Sequence, residues 1–595
     1  MKSKSKILAI VIVAVLVMAA TLTLVACNNN ADEFTIWLVP NDAIKEKYMD
    51  LEKNPVIAYV QKKFDIKFKF MIPAKGSEAD QFTLLTTDPD CPDVMDLSYY
   101  SGGMAELVED GVALDLTDYI YPQSGDSYFP NYAAALNSHP EVKTAIGTLD
   151  NKFYSLSTLD DQMRAPWGGY MYRKDLVYKY ATAADAQGDA NPATWNDKED
   201  IVFPSGAKAP DLISDYDWMF KILKRAVDAK ELSYVMSLFY PGYIETGDML
   251  SAWGISGAWY KEVVDGKTTV KYGPTSDAFK SYLKKMKEWY DLGYIDKSFT
   301  SKSDMFYNID AGNYNKGNIG CYYGMYHILG DAQKGKDGVN PDIDLRACYM
   351  PRMDKDSEPI SYYVDSLANR SLMINAKVMD KDYEKLFAAL DYLYGEEGSL
   401  MTRMGLNKEQ YAELKTDGVD FWDGAEVTLT AEEQQIAGVT SAKQKISDIG
   451  AYYLDTNLNK YIFWSEIETD TDKQKYEQCL SGMSFWGMCA VSQQQYIKLS
   501  NAQREAQYEI WNAYSNSGFI DLQLIPKKLT GDDSTNYTKH YNNLSDYLKQ
   551  EVPKFIKGDY DIDSKWKGFT NDLKLKYCND VTILLQSIYD AMEGR

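Results

Sequence analysis

Apolar residues run almost unbroken from Ile7 to Ala26, with Lys2, Lys4 and Lys6 ahead of them. A basic segment, an apolar run and small residues before a cleavage point form an export signal. At about 20 residues the run is also long enough to cross a bilayer uncleaved, which is the alternative. No second apolar stretch of that length follows. Beyond Asn28 to Asn30, a polar spacer, the pattern breaks into short pieces. FTIWLV at Phe34 to Val39 predicts a buried strand, and Pro40-Asn41 a turn. Asn54 to Phe64 predicts a helix, and the alternation of DIKFKFMI at Asp65 to Ile72 a second strand. A helix at Gln81 to Thr87, a strand at Pro92 to Ser98 and a short helix before Asp110 to Ile120 continue the series. Strands alternating with helices predict an α/β fold built on parallel sheets with helices on both faces.

Two later segments carry strong helical periodicity. In Asp277 to Leu292 the residues Phe279, Leu283, Met286 and Tyr290 share a face, and Gly293 supplies the stop. In Lys381 to Tyr394 the stripe is Leu386, Phe387, Leu390, Leu393 and Tyr394, with Gly395 as the stop. Stripes of this kind are core. Ala181 to Ala193 and Gly330 to Pro341, rich in Gly, Ala and Asp, read as surface loops. A chain of 595 residues exceeds what one core supports, so two or more lobes are expected.

Charge narrows the partners. The sequence holds 63 Lys and Arg against 87 Asp and Glu, and loss of the three leading lysines moves the balance from 24 to 27 net negative. Such a surface argues against nucleic acid, whose affinity comes from neutralised phosphates. Six cysteines besides Cys27 (Cys91, Cys321, Cys348, Cys479, Cys489 and Cys578) form no CxxC pair, which leaves mostly free, buried thiols as the expectation and disulfides as the alternative. The three histidines, His139, His327 and His540, have no HExxH spacing, and neither a GxSxG elbow nor a P-loop occurs. No enzyme is expected, although any two of the carboxylates can meet in space as a glycosidase needs. Asp559, Asp561 and Asp563 have the alternate spacing of a calcium loop, but Ser564 and Thr570 stand where such a loop has Gly and Glu. An acidic turn is therefore expected, with no metal and no cofactor. The 47 Tyr, 12 Trp and 20 Phe supply many stacking faces, the chemistry of a sugar cleft.

Two resemblances add to this reading. LVAC at Leu24 to Cys27 resembles the lipobox of bacterial lipoproteins, which implies cleavage after Ala26, a palmitate-type lipid anchor on Cys27 and a place on the outer face of the cell membrane. The order of later segments resembles the solute-binding lipoproteins of carbohydrate ABC transporters, the family of maltose-binding protein, and above all its long Gram-positive members. The segments are DGVALDLTDYI, LDNKFYSLS with YMYRKDL at Tyr170 to Leu176, PATWNDKED at Pro192 to Asp200, VDGKTTVKYG, EWYDLGYIDKSF at Glu288 to Phe299, KGNIGCYYGMY at Lys316 to Tyr326, LDYLYGEEG and KFIKGDYDIDSKWKGF at Lys554 to Phe569.

The resemblance implies a two-lobed flytrap, with residues 34–155 and about 350–400 in one lobe and 156–349 and 401–595 in the other. Chain crossings near Tyr154 to Arg164 and Cys348 to Arg352 would act as hinge strands. It implies a monomer that delivers a carbohydrate, or alternatively a peptide or polyol, to separate permease subunits; a lipid-anchored surface sensor or adhesin is the other alternative. Candidate ligand contacts are Asn41 and Asp42 after the first strand, Tyr99 and Tyr100 after the third, Trp167 after the crossing, Tyr326 after the Gly-rich strand, and Trp486. Asn and Asp chelate sugar hydroxyls, and Tyr and Trp pack on sugar C–H faces.

Overall fold

The computed structural model describes residues 33–39, 50–100, 104–138, 143, 146–148, 150–159, 168–238, 249–302, 313, 316–325, 343–357, 359, 371–423, 426–456, 460–464, 509–511, 513–514, 529 and 531–593. The chain begins there with β1 (Glu33–Trp37), flanked by β2 (Lys67–Met71) and β3 (Val94–Asp96) and parallel to both. Helices Pro55–Phe64 and Glu78–Thr86 make the two connections. The first starts at Asn54, whose side chain accepts from the N–H groups of Val56 (2.9 Å) and Ile57 (3.3 Å), and Pro55 sits where a missing N–H costs nothing. Strand alternation sorts the side chains: Phe34, Ile36 and Val94 enter one core, Trp37 and Met95 a smaller one on the other face.

After β4 (Leu156–Ser157) the chain reaches β5 (Gly168–Arg173), the first strand of a second sheet. A hairpin of β6 (Trp259–Val264) and β7 (Lys267–Tyr272) follows, then β8 (Cys321–Met325) and β9 (Leu345–Ala347), which flank β5 antiparallel. The extended stretch 233–237 pairs in parallel with both 294–296 and the lead-in to β8, through bridges Met236 to Ile295 and Tyr234 to Ile319. The chain then returns to the first sheet as β10 (Ser371–Ile374), inserted between β3 and β4 and antiparallel to both. Both sheets are thus mixed, not parallel throughout as the sequence predicts. In each, the antiparallel strand is the one that enters from the other lobe.

The two sheets share one plan. The first runs β2-β1-β3-β10-β4; the second runs 294–296, 233–237, β8, β5, β9, with the same sequence of directions. The departing strand, β4 or β9, therefore points the same way as the parallel strands of its sheet. The parallel strands of each lobe end on the side from which the chain leaves for the other lobe.

Both departures are held inside the sheets. Leu156 and Ser157 pair with β10; the Ser157 N–H donates to the Tyr132 hydroxyl (3.0 Å) and its carbonyl accepts from the Tyr394 hydroxyl (3.0 Å). Cys348 donates its N–H to the Tyr170 carbonyl (2.8 Å). The segments beside Tyr154 and Cys348 that the sequence offers as hinge strands are anchored at these points.

Lobe membership differs from the expectation beyond residue 400. Met401, Tyr411, Val427, Ile446 and Trp464 lie in the first core with Phe34 and Leu386, so the described residues of 401–464 pack with the first lobe. Lys62 of the first helix reaches Glu413 (2.5 Å) and Asp417 (2.7 Å), ties that no periodicity announces. The chain changes core again between Trp464 and Trp511. The C-terminal helices Gly531–Lys557, Ile562–Leu575 and Cys578–Glu593 close on the second lobe, where Trp259 donates to Thr582 (2.9 Å) and the Phe279 and Phe569 rings stack. The patterned helices form as Asp277–Asp291 and Tyr383–Tyr392. In the first, Trp289 is fully buried and Tyr290 only half-buried. Gly395, at φ −76°, is not a left-handed stop; it opens the next helix, Glu396–Met404.

Candidate functional site

In open α/β sheets ligands bind at the carboxyl ends of the strands. Here those ends, in both lobes, lie on the side of the crossings. The third strand delivers Tyr99 and Tyr100 there. Asp96, the last residue of β3, accepts from the Ser98 N–H (3.0 Å) and hydroxyl (2.6 Å) and turns the chain sharply through Leu97–Tyr99. Tyr99 emerges with 41% of its surface exposed. Tyr100 is half-buried, with one face stacked on Phe82 at 5.0 Å, and burial raises its hydroxyl pKa. Asn41, Asp42, Trp167, Tyr326 and Trp486 lie outside the described residues, as does Cys27.

The structure adds groups the sequence reading does not single out. Trp511 lies flat against the start of β5: its indole N–H donates to the Tyr170 carbonyl (2.8 Å), and a Cβ on Gly169 would stand 2.5 Å from its Nε1. This glycine exists for close approach. Trp37 and Ser237 end the corresponding strands of the two sheets, and both the Trp37 indole N–H and the Ser237 hydroxyl are buried with no partner among the described residues. Neither position differs in sequence from ordinary core, so only the shared topology marks them. Arg352 and Asp211 meet beside Tyr514 at the return crossing, three residues far apart in sequence.

Other chemistry is used up structurally. Asp561 caps helix Ile562–Leu575 by accepting from the Ser564 N–H (2.8 Å), and Asp563 pairs with Lys280 (2.8 Å) and Lys284 (2.9 Å), which hold its carboxyl down at about 2. The acidic turn expected there is what forms. Among the described residues no group of His, Cys, Asp and Glu is arranged to hold a metal. Cys91, Cys321, Cys348 and Cys578 are free thiols; burial pushes Cys91 and Cys578 up to about 11, far from a reactive thiolate. Cys479, Cys489, His139 and His327 fall outside the described residues. His540 packs against Tyr577, ring centres 4.3 Å apart and planes tilted by 37°. No helix among the described residues is long and apolar enough to cross a membrane.

No protein-family model matches the sequence, and no curated protein matches it. Solved structures do match in shape. The substrate-binding protein FusA of an S. pneumoniae ABC transporter, solved with kestose, superposes at a TM-score of 0.59 with 14% identity, over 94% of this chain and 99% of that one. An extracellular solute-binding protein from Bifidobacterium longum subsp. infantis gives 0.56 at 13% identity, and the alginate-binding protein AlgQ2 gives 0.53 at 16%, each over 94% of this chain and 98% of its own. The chain has the two-lobed α/β fold of carbohydrate solute-binding proteins.

Proposed function

We propose that the chain is a lipid-anchored, extracellular solute-binding protein that captures a sugar or oligosaccharide between its lobes and delivers it to the permease of an ABC importer. The observation that carries this is topological. Both sheets direct the ends of their parallel strands toward the crossings, so two half-sites face one cleft, and a ligand touching both favours the closed state by its difference in affinity for closed and open. The fold is shared over nearly the full length with a substrate-binding protein solved in complex with kestose and with one named for binding alginate, which supports carbohydrate as the ligand class. In this reading Tyr99, Tyr100, Trp167, Tyr326 and Trp486 provide stacking faces, and Asn41 and Asp42 chelate hydroxyls. No cofactor takes part and no bond of the ligand is broken. The permease and its ATPase are separate chains, and Cys27 carries the lipid.

A thermal-shift screen across mono- and oligosaccharides, kestose among them, tests the ligand class. A sugar at 100 times its dissociation constant should stabilise by about 2.7 kcal/mol. A shift with peptides or polyols and none with any sugar would overturn it, and release of cleaved sugar would identify a hydrolase. Anchoring has its own test: Cys27→Ser should abolish incorporation of a fatty-acid analogue, and equal labelling of the variant would remove the lipid from the proposal.

A further inference from the structure

The return crossing and the third pass of the chain meet at one side chain. Arg352 grips Asp211 with Nε (3.0 Å) and Nη2 (2.6 Å), a two-pronged charge-assisted contact, while Nη1 donates to the carbonyls of Lys355 (3.0 Å) and Ser357 (3.3 Å). Its guanidinium lies 4.7 Å from the Tyr514 ring centre, and the Tyr514 hydroxyl donates to the same Asp211 Oδ1 (3.0 Å). Backbone bonds run alongside: the Arg352 N–H donates to the Asp211 carbonyl (3.0 Å), the Ile213 N–H to the Arg352 carbonyl (2.8 Å) and the Tyr349 N–H to the Pro210 carbonyl (2.9 Å). The Tyr216 hydroxyl closes the group on the Tyr349 carbonyl (2.7 Å).

Three stretches far apart in sequence therefore converge: the entry to helix Ile213–Asp228, the departing chain after β9 with its turn Asp354 to Ser357, and the segment holding Trp511 and Tyr514, where the chain has come back from the first lobe. We propose that Arg352 is a positioning residue that joins the second and third interlobe passes into one unit fixed to the second lobe. Closure then rotates the first lobe against a single anchored body. Lysine would keep the charge but lose both the fork and the planar face that lies on Tyr514.

The consequence for closure rests on the receptor reading above, whereas the junction itself is tested on the full chain without sugar. Amide hydrogen exchange read by mass spectrometry on Arg352→Lys should rise several-fold both at 348–357 and at 509–514. Tyr514→Phe keeps the ring and removes only the hydroxyl, so it should raise exchange across 209–213 and 348–357 as well as at its own segment. Faster exchange confined to the substituted segment, or none, would overturn the coupling. Melting of the single and double variants gives a second readout: coupled residues lose less together than the sum of the separate losses, and strict additivity would also overturn the proposal. Failure of the sugar screen would leave these results unchanged, so the two ideas fail separately.

Discussion

Tyr411 is fully buried in the first core, and its hydroxyl has no partner among the described residues; burial alone drives its pKa far above the ordinary tyrosine value. Tyr411→Phe should therefore stabilise the protein by about 1 kcal/mol, read as a higher urea midpoint, because a buried hydroxyl without an acceptor carries its full desolvation cost. Asp185 shows the opposite case. It accepts from both prongs of Arg225 (2.6 Å each) and from the Thr182 N–H and hydroxyl (2.9 Å each), and the Arg225 bonds are the largest influence holding its pKa well below 3.8. A carboxylate with a lowered folded-state pKa contributes stability above its unfolded value and loses it as the pH falls toward the folded one. Asp185→Asn should cost about 2 kcal/mol at pH 7, a figure reduced for the part-exposed Arg225, and should flatten the fall in melting temperature below pH 4. An unchanged acid limb would mean that other carboxylates govern it. Ala181 to Ala193, read from composition as a surface loop, does hold largely exposed turns, but Asp185 pins it to the helix that carries Arg225.

At the level of elements, periodicity was informative wherever one face meets a core. The helices Pro55–Phe64 and Asp277–Asp291 lie close to where the apolar spacing and the polar caps place them, because those signals are local. Parallel versus antiparallel pairing was not legible. β10 reads like any buried strand, and its direction follows from a chain that has come back from another lobe. The same limit applies to the described residues of 401–464, whose lobe is decided by burial of Met401, Tyr411 and Trp464 against a core built from distant segments. Tyr99 and Tyr100 were legible as strand-end residues, whereas Trp511 on Gly169 was not, since 342 positions separate them. That contact is testable: Gly169→Ala should displace the indole and cost about 1 to 3 kcal/mol, the range for overpacking a filled site, with a shift in tryptophan fluorescence. A variant with unchanged emission and melting would show that Trp511 does not need the glycine.

Across the whole molecule, the common plan of the two sheets is what makes a cleft between lobes a structural expectation. The sequence supplied its two halves, through the order of family-like segments and the crossing after Ser157, but it could not show that departing strands point with the parallel ones. With Ser157 held by Tyr132 and Tyr394, and Arg352 by Asp211, the rotation that the proposed closure requires would be taken up outside these clamped residues. Since a hinge concentrates the dihedral change in a few positions, each lobe should move as a rigid body. Small-angle scattering with and without a sugar that scores in the thermal screen should give a smaller radius of gyration for the bound form, and Tyr99→Ala should weaken that binding at least a few-fold without lowering the melting temperature of the free protein. If a sugar binds tightly and the scattering curve stays the same, capture does not proceed by closure. The two-lobed fold would stand, but the lobes would serve as a static binding surface, as an adhesin requires, and the coupling of ligand to permease would have to be sought on the outside of the lobes.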